Sequence, residues 1–486
     1  MRVLFIFPNF NASYCWSPAI QILSAVLKKA GHETFLIHIN DQHAFPNDTQ
    51  KIIKEVKRVK PDLIGFTGTG FDFSRINEIC GEIKSSYNCP IILGGTHATI
   101  KPDDLNESNF DAFCIGEGEK PILELTKRLK NKTAYSRVGS FWFKDNDRII
   151  KNETLGIVDD LNDLPFNDWD IMDTKDLLLK RYNRLSIMIS RGCPYQCSFC
   201  VNQILKKIKG LKNYTRIRNV DNALAELRYL AGKFRIDVFH FDDDMFLINQ
   251  QWLHKFTTRY KEEIYKKYGV KYTIEARADT VNEGNVKLLK NSGCYEVRLG
   301  VETGDEYLRN KILNKRLKDE TIINVFRLCN KHDLKPSAFF MFGIPHETEE
   351  SLIKTIEMIA KIQPYLVRPT FFVPIYGTPL YEYCQKNKLM KEKEPENQFT
   401  EAALIYESLS EDVLYRYYTL LPWYVNLKLG HKHYLKAIQK FEKYTKEELK
   451  NKRNKVLEED KKLSEKTKSS HYMYFESNIN FIQRSG

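Results

Sequence analysis

Three cysteines at short spacing give the sequence its clearest chemical signal. Cys193, Cys197 and Cys200 form a C-x3-C-x2-C array. Thiolates are soft ligands that suit iron–sulfur clusters, and three of them can hold three irons of a four-iron cluster, which leaves the fourth iron open. Zinc is the weaker alternative, because the further candidate ligands His240 and Cys294 lie far away in the sequence. A disulfide would leave one thiol over, so the array predicts a cluster loop.

The array and its surroundings resemble the cluster loop of the radical S-adenosylmethionine (SAM) enzymes. The resemblance includes the aromatic Phe199 before the last cysteine and the predicted strand at 185–190 that leads into the loop. In that family the open iron is chelated by SAM, and an electron from the cluster cleaves SAM to a 5′-deoxyadenosyl radical. The resemblance therefore implies a [4Fe–4S] cluster held by the three cysteines, SAM bound near Phe199, and an external electron donor such as flavodoxin or ferredoxin.

The region before the cluster loop alternates short apolar runs with helical patterns. Apolar runs predict five strands, at 3–7, 34–39, 63–67, 91–93 and 112–115. Strands that alternate with helices indicate a parallel, doubly wound sheet. Ligands of such sheets bind at the carboxyl ends of the strands.

Small residues collect at three of these strand ends. Glycine there lets the backbone approach a ligand closely or take a positive φ, although each run alone indicates no more than a tight turn. Together, ahead of the cluster loop, the runs resemble the cobalamin-binding domain that is fused to many radical SAM enzymes. In that family the dimethylbenzimidazole tail enters beside the sheet and the corrin ring caps the strand ends. The cobalamin contacts implied by this resemblance are Thr67, Thr69, Gly94, Gly95, His97, Gly116, Glu117 and Gly118.

The loop after the first strand departs from one cobalamin-domain pattern. Many such domains carry an Asp-x-His-x-x-Gly motif there, whose His ligates cobalt, whereas residues 8–16 contain no His. The resemblance therefore implies no axial His from this loop, as in many radical SAM relatives. His97 fits a turn or supporting position better than a cobalt ligand.

Strand–helix alternation resumes at residue 185. Six runs predict strands, at 185–190, 237–242, 272–276, 296–301, 337–342 and 370–373. Helical patterns lie between them, for example at 222–231 and 319–331. The alternation is compatible with a partial (β/α)6 barrel, and the resemblance to radical SAM enzymes implies one.

Charged residues at the ends of these strands are implied as SAM contacts. Asp242 and Asp243 follow the second strand, where the family receives the SAM amino group, although successive carboxylates could also bind Mg²⁺. Arg277 follows the third strand and suits a carboxylate because its fork donates two parallel bonds; a salt bridge at the barrel mouth is nearly as good an interpretation. Glu302 lies in an element that resembles the family's Gly-x-Glu-x-Gly, whose Glu accepts from SAM.

Composition sets the broad limits. A chain of 486 residues predicts two or three domains, and ten cysteines with three in a cluster array point to a reducing cytoplasm. No run of 18 apolar residues occurs, so we expect no membrane span, and the apolar start is typical of a first strand rather than a signal peptide. A large part of the net charge of +12 lies at 431–470, where the basic residues are interleaved with acids, which makes nucleic-acid binding the minority interpretation.

These patterns together predict four regions. They are a cobalamin-binding domain at 1–137, a linker with a hairpin at 138–180, a radical SAM barrel at 181–392 and a helical C-terminal segment at 393–486.

The resemblance implies a cobalamin-dependent radical SAM enzyme that transfers a methyl group to an unactivated carbon of a small molecule or natural-product intermediate. A cobalamin-dependent cyclase or rearrangement enzyme is an alternative within the same family. A methylthiotransferase acting on RNA would need a second cluster, for which Cys15, Cys80 and Cys114 are available but lack the local motifs. A non-enzymatic cobalamin- or cluster-binding protein is the third alternative.

Overall fold

The chain forms two compact units. The computed structural model describes residues 1–10, 14–40, 45–146, 148–208, 214–395, 397–475 and 478–485. The first unit holds residues 1–194, 201–243 and 268–270, and the second holds residues 195–200, 244–267 and 271–486. Across the described residues, no helix has the length and apolar character needed to cross a membrane.

The first unit opens with alternating strands and helices, as predicted. Its elements are β1 (Arg2–Pro8), α1 (Pro18–Lys29), β2 (Glu33–Ile39), α2 (Thr49–Val59), β3 (Leu63–Thr67), α3 (Phe73–Ser86), β4 (Ile91–Gly94), α4 (Thr96–Ile100), β5 (Ala112–Cys114), α5 (Glu119–Lys130), β6 (Phe141–Asp145), β7 (Arg148–Lys151), α6 (Thr174–Lys180), β8 (Arg184–Ile187), β9 (Ser190–Arg191), α7 (Asn202–Leu205), β10 (Arg216–Ile217), α8 (Val220–Lys233) and β11 (Val238–Phe241).

The first seven strands form one sheet in the order β2-β1-β3-β4-β5-β6-β7. The first five are parallel, and the hairpin β6–β7 adds two antiparallel strands beside β5. The predicted hairpin therefore extends the sheet, while its predicted turn residue Asp147 lies outside the described residues. The strand order reverses between β1 and β3, and that switch point is where doubly wound sheets bind ligands.

Two apolar cores cover the two faces of this sheet. Ile52 and Val56 of α2 pack with Ile79 of α3 in one core. Ile20 of α1 and Ile122 of α5 pack in the other. Helices on both faces make the sheet doubly wound, which confirms the predicted fold class.

The sequence predicts one strand over 185–190, but the structure divides it. β8 ends at Ile187 and pairs in parallel with β11, whereas β9 pairs antiparallel with β10. Asp243 accounts for the break, because its Oδ1 accepts hydrogen bonds from the backbone N–H groups of Ile189 (3.0 Å) and Ser190. A side chain thus takes the donors that a continuing strand would have used.

The second unit continues the alternation and ends in helices and a hairpin. Its elements are α9 (Gln250–Tyr260), a π-helical turn (Lys261–Tyr265) that leads into α10 (Lys266–Tyr268), β12 (Lys271–Ala276), α11 (Glu283–Asn291), β13 (Cys294–Glu302), α12 (Asp319–Lys331), β14 (Lys335–Phe342), α13 (Glu349–Ile362), β15 (Leu366–Phe371), α14 (Pro379–Lys386), α15 (Glu411–Thr419), α16 (Leu421–Lys428), α17 (Tyr434–Phe441), α18 (Lys446–Asn451), α19 (Arg453–Glu465), β16 (Tyr472–Phe475) and β17 (Asn478–Arg484).

Strands β12 to β15 are parallel neighbours in chain order. The sequence places the last of them at 370–373, but β15 begins four residues earlier and runs through Pro369. Proline is tolerated there because β17 pairs only with Leu366 and Val367, so the missing N–H interrupts no pairing with β17. The C-terminal segment is mostly helical, as predicted, and the hairpin β16–β17 joins it to β15.

Candidate cobalamin cavity and cluster loop

The first unit contains a cavity of about 330 Å³ beside the switch point of its sheet. Phe5 of β1 and Phe66 of β3 contribute to one wall, and Ile20 and Leu23 of α1 face them with Ile122 of α5. The mainly apolar lining is what a flat heteroaromatic group needs. The position beside the sheet agrees with the predicted place of a cobalamin tail.

Six of the eight residues predicted to contact cobalamin line this cavity. They are Thr67, Gly94, Gly95, Gly116, Glu117 and Gly118. Gly95 has a φ of 91°, and a Cβ atom there would lie 2.8 Å from Thr67 Oγ1. A side chain at this position is therefore excluded both by backbone conformation and by space.

The other two residues do not line the cavity. The His97 ring stacks on Phe73 at a centroid distance of 3.8 Å, and its Nε2 lies 3.1 Å from Asp104 Oδ2. Burial lowers the pKa of His97 to about 4, so the ring is neutral at physiological pH. Thr69 donates to Asp72 Oδ2 at 2.6 Å. Part of the loop predicted to lack an axial His, residues 11–13, lies outside the described residues.

The predicted linker forms another wall of the cavity. Leu161, Leu164 and Pro165 face the space. The fully buried carboxylate of Glu226 on α8 fixes the following segment, because it accepts a hydrogen bond from Trp169 Nε1 at 2.8 Å. Part of the predicted linker thus lines the cavity and is more than a simple connection.

The cluster loop carries three half-buried cysteines, and none of them forms a disulfide. Ser198, between the second and third cysteine, donates from its backbone N–H to Leu313 O at 3.0 Å and from its hydroxyl to Ile312 O at 2.6 Å. Its own carbonyl accepts from the Leu380 N–H at 3.0 Å. The loop backbone is thereby held against residues 312–313, which follow β13, and against the start of α14.

Arg277 lies next to this loop, at the end of β12. Its Nη1 approaches Cys197 Sγ at 3.7 Å, its guanidinium lies 4.1 Å from the Tyr195 ring centroid, and its Nε donates to Asp279 at 2.9 Å. A further bond goes to the carbonyl of Lys315. The salt-bridge interpretation therefore holds for the structure as described, and the cation also faces a sulfur atom of the array.

The two predicted acidic residues after β11 differ in their surroundings. Asp242 is partly exposed, and its Oδ1 lies 2.9 Å from His240 Nε2. Asp243 is fully buried, and besides its two backbone bonds it accepts from Ser190 Oγ at 2.5 Å. Burial raises the pKa of Asp243 to about 7, against the opposing effect of these bonds. The structure thus shows Asp243 fastening the segment before the cluster loop.

Glu302 ends β13 in a strained conformation. Its φ is 73°, and the register with β14 shifts at a bulge between Gly300 and Glu302. Lys315 Nζ donates to Glu302 Oε1 at 2.5 Å, and each side chain is only about a tenth exposed. A Cβ at Gly300 would lie 2.7 Å from Lys315 Nζ, so the glycine leaves room for the pair. Strain of this kind collects at functional sites.

Phe199 packs against an apolar cluster near the same pair. That cluster contains Leu308, Leu313, Ile344, Phe372, Leu380, Cys384 and Leu404. The Phe199 ring centroid lies 6.0 Å from Lys315 Nζ. Arg277, Lys315, Glu302 and Phe199 therefore form one connected group around the second half of the loop.

Glu347 is a buried carboxyl group after β14. It accepts from the backbone N–H of Gly343, and its Oε1 has no partner among the described residues. Burial raises the pKa of Glu347 to about 8. Tyr406 donates to the carbonyl of Gly343 at 2.9 Å, which covers the same turn.

The candidates for a second cluster do not meet. Cys80 belongs to the core on one face of the first sheet, and Cys114 belongs to the core on the other. Burial raises the pKa of both thiols to about 12, and it also raises that of Cys15. Because Cys80 and Cys114 lie on opposite faces of the sheet, they cannot share one cluster, which argues against the methylthiotransferase alternative.

Sequence reasoning did not assign three charged residues that the structure brings to these sites. They are Glu119, Arg191 and Lys315. Glu119 and Arg191 adjoin predicted motifs, and their position there is the signal that could have found them. No local pattern marks Lys315, because its partner Glu302 lies 13 residues earlier across an irregular turn.

Family models match both halves of this arrangement. Residues 11–126 match the B12 binding domain, and residues 187–359 match the radical SAM superfamily. The fold and the two sites therefore define a radical SAM enzyme with a B12-binding domain. The chain belongs to the cobalamin-binding radical SAM enzymes, whose cofactors are cobalamin, a [4Fe–4S] cluster and SAM.

Two relatives indicate the range of this group. An uncharacterised methyltransferase of Pyrococcus horikoshii is 26% identical over 346 residues, covering 70% of this chain and 72% of that protein. The anaerobic magnesium-protoporphyrin IX monomethyl ester cyclase of Cereibacter sphaeroides is 26% identical over 403 residues, covering 79% of this chain and 63% of that one.

Two solved structures share the fold. The radical SAM methyltransferase TsrM of Kitasatospora setae, solved with tryptophan and a SAM analogue, has a TM-score of 0.65 at 17% identity and covers 79% of this chain and 76% of its own. The cobalamin-dependent SAM radical enzyme OxsB, solved with aqua-cobalamin, has a TM-score of 0.69 at 17% identity, and the match covers 89% of this chain and 68% of OxsB.

The residues present fit the three cofactors. The apolar cavity and the positive-φ Gly95 leave room beside the sheet for a cobalamin tail. Three cysteines outside any disulfide, with Arg277 directed at one of them, fit a cluster that carries negative charge. Buried acidic and basic groups near Phe199 suit the zwitterionic end of SAM.

Proposed function

We propose that the protein transfers a methyl group from SAM to an unactivated carbon of a small molecule. The observation that carries this proposal is the kinship with a methyltransferase over 70% of the chain, in a molecule whose glycine-lined cavity fits cobalamin. When bound, the cluster and SAM supply a 5′-deoxyadenosyl radical and cobalamin supplies the methyl group.

The chain's own residues bind, orient and exclude water. In the proposal, Cys193, Cys197 and Cys200 hold the cluster. Arg277 offsets negative charge beside Cys197, since its guanidinium lies 3.7 Å from that sulfur.

Glu302 is proposed to accept hydrogen bonds from SAM while Lys315 Nζ holds it in place through Oε1, and Asp242 offers a partly exposed carboxylate for the amino group. Asp243 is proposed to position the loop instead of touching SAM, because its side chain is fully buried and its Oδ1 accepts from Ile189 and Ser190. The four sequence-predicted regions remain part of this proposal, with the linker assigned to the cobalamin site.

Cyclisation is the second candidate reaction. The cyclase relative aligns over 79% of this chain, more than the methyltransferase relative does. Both reactions begin with removal of a hydrogen atom from substrate, so the residues around the cluster serve either one.

The product decides between these two reactions. Purified protein with its cluster and cobalamin would be incubated anaerobically with a reductant, candidate small molecules and SAM carrying a deuterated methyl group. Methyl transfer gives a product that contains the labelled methyl group, whereas cyclisation gives a product that has lost hydrogen and carries no label. Unlabelled product from every substrate that is consumed would refute the methyl-transfer proposal.

A further inference from the structure

A network of four charged side chains joins the cavity to the strand before Cys193. Arg191 contacts Glu117 Oε1 at 3.1 Å and Glu119 Oε1 at 2.6 Å. Arg216 contacts the same Glu117 through Oε1 at 2.7 Å and Oε2 at 3.1 Å. Two cations and two anions therefore compensate each other within the first unit.

Glu117 occupies the centre of this network as an anion. Its side chain is 18% exposed and that of Arg216 only 6%. Burial alone would raise the pKa of Glu117, but the hydrogen bonds from Arg216 and the charge of Arg191 outweigh it and hold the pKa below its usual value. Glu117 Oε2 also accepts from the backbone N–H of Val158 at 2.8 Å, so no orientation is left open to this carboxylate.

The strand pair beneath the network has a built-in repulsion. β9 and β10 share only two residue pairs, and in one of them Arg191 stands directly opposite Arg216. Like charges directly opposite each other destabilise a strand pair. Glu117 contacts both guanidinium groups, so its negative charge lies between them and offsets their repulsion.

The segment 116–119, which carries both acidic residues of the network, lines the cavity. Gly116, Glu117, Gly118 and Glu119 form part of its wall, and Gly116 has a φ of 83°. At its other end the network holds Arg191, two residues before Cys193. A cofactor that orders the cavity wall therefore also orders the approach to a predicted cluster ligand.

We propose that Glu117 is a positioning residue that couples cobalamin binding to the order of the cluster loop. In the proposal, a cofactor in the cavity packs against the wall that carries Glu117 and so stabilises the Arg191–Arg216 pair that Glu117 already joins, which keeps Cys193 in place for the cluster. Coupling of this kind is reciprocal, so the loaded cluster must tighten cobalamin binding by the same factor. The proposal holds equally for methyl transfer and for cyclisation, because it concerns binding of the two cofactors alone.

The test compares cobalamin affinity with and without the cluster. Hydroxocobalamin would be titrated anaerobically, with visible absorption as readout, into iron-free and cluster-loaded protein. Cluster-loaded wild type should bind hydroxocobalamin at least about 5-fold more tightly than iron-free wild type, a ratio at the lower end of ordinary allosteric coupling. In Glu117→Gln this ratio should fall to about 1, because an amide cannot hold two guanidinium groups. Glu124→Gln removes the Arg128 contact of α5, an ion pair outside the cavity, and should keep the wild-type ratio.

A charge-balanced double variant distinguishes a loss of coupling from a loss of folding. Glu117→Gln leaves a buried cation uncompensated, whereas Glu117→Gln with Arg216→Gln removes one charge of each sign. The double variant should fold and still show a ratio of about 1. A wild-type ratio of 1 would overturn the proposal. So would a folded single or double variant that keeps the wild-type ratio, since Glu117 would then be only a wall of the cavity.

Discussion

The carboxyl ends of the strands are built differently in the two units. In the first unit β3, β4 and β5 lead into threonine and glycine, and the space beside them is an apolar cavity. In the second unit β12 and β13 lead into Arg277 and Glu302, and both carry paired charges. A large flat group is accommodated where side chains are absent, whereas a small zwitterion needs fixed charges. The carboxyl ends of the strands thus present an apolar, glycine-rich surface in one unit and paired charges in the other.

The largest effect should come from removing a sulfur ligand of the predicted cluster. This change should affect the charged site of the second unit and spare the apolar cavity of the first. Cys197→Ala removes the thiolate that faces Arg277 and should abolish cluster iron and SAM cleavage while cobalamin still binds. Iron content and released 5′-deoxyadenosine measure this. Cys89→Ala is the control, since burial raises the pKa of that thiol to about 12. Wild-type SAM cleavage by Cys197→Ala would show that this cysteine is no essential ligand.

The second prediction concerns the Glu302–Lys315 ion pair of the second unit. Glu302→Gln leaves Lys315 buried without its anion, which should cost about 3–5 kcal/mol of stability, and should weaken SAM binding by about 1–3 kcal/mol. Adding Lys315→Met should restore the melting temperature but not the SAM affinity. Calorimetric titration measures the SAM affinity, and thermal unfolding measures the melting temperature. Unchanged SAM affinity in Glu302→Gln would contradict the assignment of this carboxylate.

The apolar site can be tested with two alanines. Gly95→Ala forces a side chain onto a φ of 91° and against Thr67, and should weaken hydroxocobalamin binding about 10-fold, or about 1.4 kcal/mol. Gly70→Ala meets nothing within 4 Å and should bind as wild type does. Iron content should be unchanged in both. Equal cobalamin affinities for the two variants would mean that the close approach at Gly95 plays no part.

The last prediction concerns the pH dependence of stability. The pKa of Glu347 is about 8 in the folded protein and lies near 4.5 when exposed, so between these values the folded state holds the extra proton. Its contribution to stability therefore declines as pH rises from about 4.5 to about 8 and is constant beyond. Glu347→Gln should remove this decline. Denaturant unfolding at several pH values checks it, and an unchanged slope would exclude Glu347 as its source.

Local pattern was enough for most of the fold. The helix predicted at 319–331 has those bounds in the structure, because its apolar spacing and its acidic start are contained within the segment. Six glycine-loop residues line the cavity for a related reason, since the carboxyl ends of parallel strands always meet at one edge.

Contacts between distant residues could not be predicted in this way. The break after Ile187 depends on Asp243, which lies more than 50 residues further along the chain. The Lys315–Glu302 pair depends on a bulge and an irregular turn that leave no periodic signal. In each case a tertiary contact decides between conformations that the local sequence allows equally.

The hairpin β16–β17 has a consequence for the order of synthesis. β17 pairs with β15 through residues far apart, and the side chains of Gln483 and Tyr365, 118 residues apart, meet at 3.2 Å. While the ribosome makes the intervening helices, one side of β15 keeps unpaired backbone groups, which are a template for association with other chains. A nascent chain that stalls within α15–α19 should therefore be more prone to aggregation than the finished protein, and a chaperone would be needed longest at that edge.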